Sequence, residues 1–329
     1  MTQRGFTTTT VHADQHFGVE HGGIHKPIHT SVQYGFDRVE DLIGVFQGTI
    51  KGGYNYARQG TPTTAALESK ITLMEQGIGT VSFATGMAAI TAIFLTLLKA
   101  GDHLVCSQFV FGNTNSLLGT LKDLGIGVTT VDATQASHVA AAIQPNTRMV
   151  FVETIANPGT QIPDLVPIGK LCADITSPLL FRPSTVGASL VIQSLTKTIA
   201  GHGSALGGAV TDTGLYNWAN YPNIFASYRK GDPHQWGLQQ IRKKGLRDMG
   251  GTLSSEHAHQ ISVGAETLAL RVAQTSATAL QLARFLEVHP AVNRVYYPML
   301  ESHPQHATAK QHFSAGSWLL SFELGDEAA

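Results

Sequence analysis

The chain has 329 residues, 43% hydrophobic and 14% charged, with a formal net charge of −1. That size and apolar content suit a large core and two domains, and a near-neutral chain without a basic block excludes nucleic acid and anionic membrane as expected partners. The N-terminal MTQRGFTTTT lacks an apolar signal core, the longest apolar stretch (Ala88 to Leu98) is too short for a bilayer, and the only cysteines, Cys106 and Cys172, have apolar neighbours, so a cytoplasmic setting with reduced core thiols is expected.

Residues 1–58 are rich in Thr, His, Gly and Gln, show little periodicity and read as an extended arm with a short helix near Val39 to Phe46. From Thr63 an alternation begins. A helix over PTTAALESKITLMEQ, with proline in its first turn, precedes a strand at Gly79 to Phe83 and a helix at Gly86 to Leu98. A strand at His103 to Cys106, a helix at Asn113 to Leu124, a strand at Val128 to Val131 and a helix at Gln135 to Ile143 follow. Next come a strand at Arg148 to Val152, a helix at Leu165 to Ala173 and a strand at Ala188 to Ile192. Strands and helices alternating at this spacing imply βαβ units: an α/β fold, with a mostly parallel sheet covered by helices on both faces. After about residue 213 the pattern becomes mainly helical, with helices around Trp236 to Asp248, Ser255 to Gln274 and Ser276 to His289, and a closing strand pair at Val292 to Tyr297 and Ser317 to Glu323.

The alternation breaks once. The helix ending near Ala173 should feed a buried strand, but the chain runs from Asp174 and Ile175 into TSPLLFRP, where Pro178 and Pro183 bracket a weak apolar stretch. One strand of the series is missing there.

The segment SLTKTIAGHG, Ser194 to Gly203, carries the strongest chemical signal. Lys197 stands between hydroxyl residues after an apolar run and before a glycine-rich turn. At a buried strand end, desolvation disfavours the ammonium and leaves an amine able to form a Schiff base with a carbonyl cofactor. Ser194 and Thr196 add hydroxyls suited to phosphate oxygens. An ordinary surface lysine fits the segment as well. The run Phe83 to Ala89 joins strand to helix through a small-residue turn, where Gly86 and the helix N-terminus suit a single phosphate, although many helices begin this way. No G-x-G-x-x-G and no Walker lysine is present. Tyr56 and Arg58 lie beside one another before a helix and could grip a phosphate or simply face solvent. Phe111 and Asn157 follow predicted strand ends. A phenyl ring there stacks on a planar ligand or fills the core, and in open α/β sheets ligands bind beyond the carboxyl ends of strands. The histidines do not make a metal site: His257 and His259 are two apart on a helix, and no carboxylate or cysteine set joins His303 and His306.

Together, YARQGTPT, FATGMAA, FGNT, VETIANP, TSPLLFRP, SLTKTIAGHG, GAETLALR and VNRVYYPMLESHPQH, in that order, resemble the Cys/Met-metabolism family of pyridoxal-phosphate enzymes. This family includes cystathionine γ-synthase, acyl-homoserine sulfhydrylases and the cystathionine and methionine γ-lyases. The resemblance spans almost the whole chain and implies the aspartate-aminotransferase-type fold (fold type I). It divides the chain into an N-terminal arm to residue 58, a cofactor domain over 59–250 and a smaller C-terminal α/β domain over 251–329 that is incomplete relative to the family. By the same resemblance Lys197 is the Schiff-base lysine and proton shuttle. Gly86 and Met87 give backbone N–H groups to the cofactor phosphate, Ser194 and Thr196 add hydroxyls, and Tyr56 and Arg58 reach the phosphate of a neighbouring subunit in a dimer of dimers. Phe111 takes the place of a ring-stacking tyrosine, and Asn157 that of the asparagine beside the ring hydroxyl.

Three departures qualify the resemblance. Phe111 lacks the tyrosine hydroxyl. Asn113 stands where methionine γ-lyases carry cysteine. The family's strand ending in Asp-Asn-Thr, whose aspartate pairs with the pyridinium nitrogen, and its carboxylate-binding arginine have no counterpart, which falls where the alternation lost its strand and beyond SFELGDEAA. Losing a central strand would cost more than a typical stability of about 5–15 kcal/mol, so the expectation is that the working protein has residues that this sequence lacks. The activity implied is γ-replacement on an acylated homoserine by sulfide or cysteine. A γ-lyase is the alternative, and a non-catalytic homologue follows if the aspartate and arginine are truly absent.

Overall fold

The alternating stretch after Thr63 builds two three-stranded sheets, in a computed structural model that describes residues 5–50, 52–172 and 183–325. The Asp174–Ile175 junction, and with it the expected break in the alternation, lies outside the described residues, as does all of TSPLLFRP but its last proline. The chain divides into two compact units, Met1–Lys99 with Ser189–Thr267 and Ala100–Ala188 with Leu268–Ala329.

In the first unit, β1 (Gly79–Phe83), β5 (Leu190–Gln193) and β6 (Gly208–Asp212) form a sheet in the order β1-β6-β5. The central strand β6 was not anticipated. It runs antiparallel to both neighbours, with Gly79 opposite Asp212 on one side and Leu190 opposite Asp212 on the other, so this sheet departs from the parallel expectation. All five β6 residues are buried. Helix α4 (Gly86–Leu97) contacts all three strands and buries Ala89, Ala92, Ile93, Phe94 and Leu97. Each large apolar side chain removed from water in this way contributes about 1.5–3 kcal/mol.

Helix α1 (Phe6–Phe17) is also new, because the arm had been read as extended apart from α2 (Val39–Gln47). Its threonine-rich sequence is a weak helix former, and tertiary contacts supply what propensity does not. Asp14 is the anchor. Lys70, fully buried on α3 (Pro62–Glu75), lies 3.4 Å from Asp14 and 3.5 Å from Glu266 of α9 (Ser255–Glu266), and donates to the Ser262 carbonyl at 3.1 Å. Leaving that lysine unpaired would cost several kcal/mol, so the arrangement fixes α1 against α3 and α9. A second pairing joins Glu68 to Arg242 at 2.6 Å, while the same carboxylate accepts from the Ser82 N–H and hydroxyl. Arg242 belongs to a π-helical segment, Ile241–Asp248, that continues α8 (Trp236–Gln240).

The second unit keeps the expected parallel pattern. The strands β2 (His103–Ser107), β3 (Gly127–Val131) and β4 (Thr147–Phe151) lie in the order β3-β2-β4, all parallel, with His103 opposite Gly127 and Leu104 opposite Met149. Helices α5 (Gly112–Asp123), α6 (Ala136–Ala142) and α7 (Leu165–Leu171) connect or follow them. Val105, Val139, Val150, Leu165 and Ile168 form the core. Cys172, part of that core, and Cys106 are free and buried; burial pushes the Cys106 thiol far above its ordinary range and that of Cys172 up to about 12. Helix α10 (Leu268–Glu287) begins just after Thr267, eight residues earlier than the sequence suggests, and packs on β7 (Val292–Tyr296). After α11 (His306–His312) the chain closes with β8 (Ser321–Leu324) antiparallel to β7. That strand starts later than expected, at Ser321 opposite Tyr296, where β7 ends; Ser317, placed in the strand by the sequence, takes a left-handed conformation, φ 81°. No helix among the described residues is long and apolar enough to cross a membrane.

Candidate active site

The turn after β1 is the first element of the site. Thr85 caps α4 by accepting the Ala88 N–H at 3.0 Å, and its carbonyl takes the Ala89 N–H. The N–H groups of Gly86 and Met87 are left without a partner among the described residues. They point out from a helix start, where the dipole favours an anion. The Ala84 N–H holds the turn to the Gly251 carbonyl at 2.7 Å.

Two glycines let other backbone close on this turn. A Cβ on Gly86 would lie 3.0 Å from the Ser194 Cβ and 3.1 Å from its Oγ, so the Ser194 hydroxyl sits at the turn itself. A Cβ on Gly208, at the start of β6, would lie 2.1 Å from the Thr85 carbonyl oxygen and 2.9 Å from the Gly86 Cα. No side chain fits there, so β6 presses directly on the turn. Among the described residues the result is a cradle of two open N–H donors and one hydroxyl without a partner, which fits the phosphate of pyridoxal phosphate.

Lys197 lies four residues beyond β5, in the turn over 194–200. It is exposed, and its Nζ has no partner among the described residues, so the buried strand-end setting expected from sequence is not what the chain's own packing provides. Its backbone is fixed at both ends, with its N–H on the Ser194 carbonyl and the Gly201 N–H on its own carbonyl. Thr196 differs from Ser194. Its hydroxyl donates to the Gly207 carbonyl at 3.2 Å and accepts the Gly207 N–H at 3.0 Å, so its only proton is engaged in bracing the approach to β6.

Tyr56 and Arg58 are both exposed. The Arg58 guanidinium lies over the Tyr56 ring, 5.4 Å from its centroid, and donates to the Arg247 carbonyl. The Arg58 carbonyl accepts from the Thr252 hydroxyl at 2.8 Å.

Phe111 and Asn157 belong to the second unit. Phe111 is the N-cap of α5 and is 48% exposed, so it is not core. Its N–H donates to Glu153 Oε1 at 2.8 Å and its carbonyl accepts the Asn115 N–H at 3.0 Å. Burial raises the Glu153 carboxyl, and the bond from Phe111 pulls it partly back. Asn157 is exposed on the loop after β4. That loop is held from two sides: Ser321 donates to the Pro158 carbonyl at 2.7 Å, and buried Thr160 meets His303 Nε2 at 3.2 Å. His303 Nδ1 accepts the Gln305 N–H at 3.2 Å, so Nε2 bears the proton and donates to Thr160. Burial, with Arg294 and His306 adding to it, lowers His303 to about 4.

Sequence reasoning did not assign Gly208, Glu153, His303 or Ser321. The Gly207-Gly208 pair was the available signal for the first; the other three act through contacts across the fold, which no local pattern marks.

The comparisons with known proteins agree with the resemblance. The family model described as Cys/Met metabolism PLP-dependent enzyme matches residues 7–329. An L-methionine gamma-lyase of Fusobacterium nucleatum subsp. polymorphum is 35% identical over 97% of this chain and 78% of its own length. An O-acetyl-L-homoserine sulfhydrylase of Corynebacterium glutamicum is 34% identical over 98% of this chain and 80% of its own. A crystal structure of a putative O-acetylhomoserine (thiol)-lyase from Campylobacter jejuni, containing N'-pyridoxyl-lysine-5'-monophosphate, superposes with a TM-score of 0.90 at 28% identity, covering 98% of this chain and 85% of that one. The chain therefore belongs to the Cys/Met metabolism family of pyridoxal-phosphate-dependent enzymes.

Proposed function

We propose that the protein catalyses γ-replacement on an acylated homoserine, with sulfide or a cysteine thiol entering as the acyloxy group leaves. The observation that carries this reading is the cradle at Gly86 and Met87, with the Ser194 hydroxyl against it and Lys197 three residues further on. Pyridoxal phosphate, when bound, supplies an electron sink for negative charge at the substrate's α-carbon. The Gly86 and Met87 N–H groups and the Ser194 hydroxyl hold its phosphate. Thr196 keeps the lysine turn against Gly207. The Lys197 Nζ would carry the cofactor and would be the group that takes the substrate's α-proton; its exposure leaves it free to move between these tasks. Phe111 would offer a stacking surface without a hydroxyl, and Asn157 would serve as the partner of the ring hydroxyl.

Elimination is the second reading, and the methionine γ-lyases among the relatives favour it. Asn113, exposed in the first turn of α5 where methionine γ-lyases carry cysteine, counts against methionine γ-elimination. The site is shared between subunits of a dimer of dimers. The support is the exposure of Tyr56 and Arg58, together with an apolar arm surface in which Ile24 is 65% and Phe46 61% exposed. The arm to residue 58, the cofactor domain over 59–250 and the smaller domain over 251–329 are the functional division, and the setting is cytoplasmic.

The test combines labelling with product analysis. Borohydride reduction of the yellow holoprotein should fix the cofactor to Lys197, and Lys197→Ala should lose the label and all turnover while keeping the fold. Acetyl- and succinyl-homoserine, each with sulfide and with cysteine, should give homocysteine or cystathionine. Label on another lysine overturns the site, and 2-oxobutyrate as the sole product with thiol present overturns replacement.

A further inference from the structure

We infer that Glu153 is a positioning residue for the cofactor ring: its carboxylate holds the Phe111 main chain so that the phenyl ring stands as a preset stacking surface. The inference rests on the reading that pyridoxal phosphate binds at Lys197 and that Phe111 stacks on it. Glu153 lies two residues beyond β4, and Phe111 four residues beyond β2, the strand that pairs with β4 through Cys106 opposite Phe151. The Glu153 side chain therefore crosses from one strand's end to its neighbour's loop.

The loop from Ser107 to Phe111 is bonded along its length. The Gln108 N–H reaches the Val131 carbonyl at 2.8 Å, and the Phe109 N–H reaches the Ser107 hydroxyl at 3.1 Å. Val110 is buried. Phe111 then has its N–H on Glu153 and its carbonyl on the Asn115 N–H, so both peptide groups flanking its Cα are held. Among the described residues, only the ring of Phe111 is left without a fixed partner. A phenyl group half exposed on a doubly anchored backbone costs little to order when a planar ligand arrives. Of these anchors, Glu153 alone is an ionisable side chain, and its Oε1 can accept the Phe111 N–H whether or not the other oxygen carries a proton.

The test is a double-mutant cycle read by cofactor binding to the apoprotein, followed by quenching of tryptophan fluorescence and by the induced circular dichroism of the bound cofactor. Glu153→Ala should weaken binding about tenfold, the equivalent of one lost hydrogen bond to a charged group. Glu153→Gln keeps an acceptor and should lose about threefold. Phe111→Ala retains its N–H but removes the ring; in that background Glu153→Ala should change affinity less than twofold, and the dichroism of the two single variants should be alike. If the tenfold loss recurs without the ring, or if Glu153→Ala binds like the parent, the proposal is overturned. Where Glu153→Ala does not fold, Glu153→Gln in both backgrounds decides by the same coupling. Unchanged binding in Phe111→Ala, with Lys197 still labelled by borohydride, removes the stacking role and this proposal while sparing the lysine assignment. Absence of any label on Lys197 is instead the failure of the functional reading.

Discussion

The turn after β1 in the first unit and the loop after β4 in the second are stabilised by different means. The turn is built from backbone pressed on backbone: Gly208 against Thr85, with Gly86 beside Ser194. The loop is held by side chains that reach it from distant parts of the chain, namely Ser321 on Pro158 and His303 on Thr160. Close packing of main chain is indifferent to pH but intolerant of a single added carbon. Hydrogen bonds from titratable or hydroxyl groups tolerate changes in volume but respond to protonation and to loss of one partner.

The largest effect should come from the turn. Gly208→Ala places a methyl 2.1 Å from a carbonyl oxygen that belongs to backbone and cannot rotate away. A loss of about 3 kcal/mol or more in chemical denaturation is expected, together with weakened cofactor retention at every pH. An alanine variant of parental stability would show that β6 does not brace the turn.

The next effect separates the two regions by pH. His303 is lowered to about 4 from its ordinary 6.5, so between these values the unfolded chain takes up a proton that the folded chain refuses. The stability that His303 supports is complete above about pH 6.5 and is lost as pH falls toward 4, amounting to about 2 kcal/mol once solvent screening is allowed for. Thermal unfolding followed from pH 7 to 4.5 should therefore show a steeper decline in the parent than in His303→Gln, whose amide still donates to Thr160. Parallel declines would remove His303 from the acid response.

The smallest effect is that of Ser321→Ala. It removes one bond, to the Pro158 carbonyl, and should cost about 1 kcal/mol by denaturant titration. A loss equal to that of Gly208→Ala would contradict the contrast between the two regions.

The same contrast explains what was legible in the sequence. The strands β1 to β4 and the helices between them lie within about a residue or two of where periodicity puts them, because each is apolar at a regular spacing between turn residues. The turn at Gly86 was visible for the same reason: strand, small residues and helix follow in order. Elements stabilised by distant partners were not visible. Helix α1 reads as a poor helix until Asp14 meets Lys70. Strand β6, enclosed by glycines and Asp212, has too few apolar residues to stand out, yet it is the centre of its sheet. At the site, residue types pointed to Lys197, Gly86 and Ser194, whereas the engagement of the Thr196 hydroxyl with Gly207 and the exposure of Lys197 depend on how the turn is folded. Glu153 stood in the quoted VETIANP motif, but its acceptor role depends on β4 lying beside β2.

The ion cluster at Lys70 has a consequence for the order in which the protein is made. Asp14 leaves the ribosome before Lys70, but Glu266 and the Ser262 carbonyl follow it by some 190 residues (266 − 70 = 196). At roughly 5–20 residues per second, this lysine waits about 10–40 seconds for its full set of partners. During that interval α1 and α3 have only part of what secures them, and the nascent arm is exposed to whatever binds unfinished chains. Its docking is a late event in synthesis, although it emerges before both of the helices that hold it.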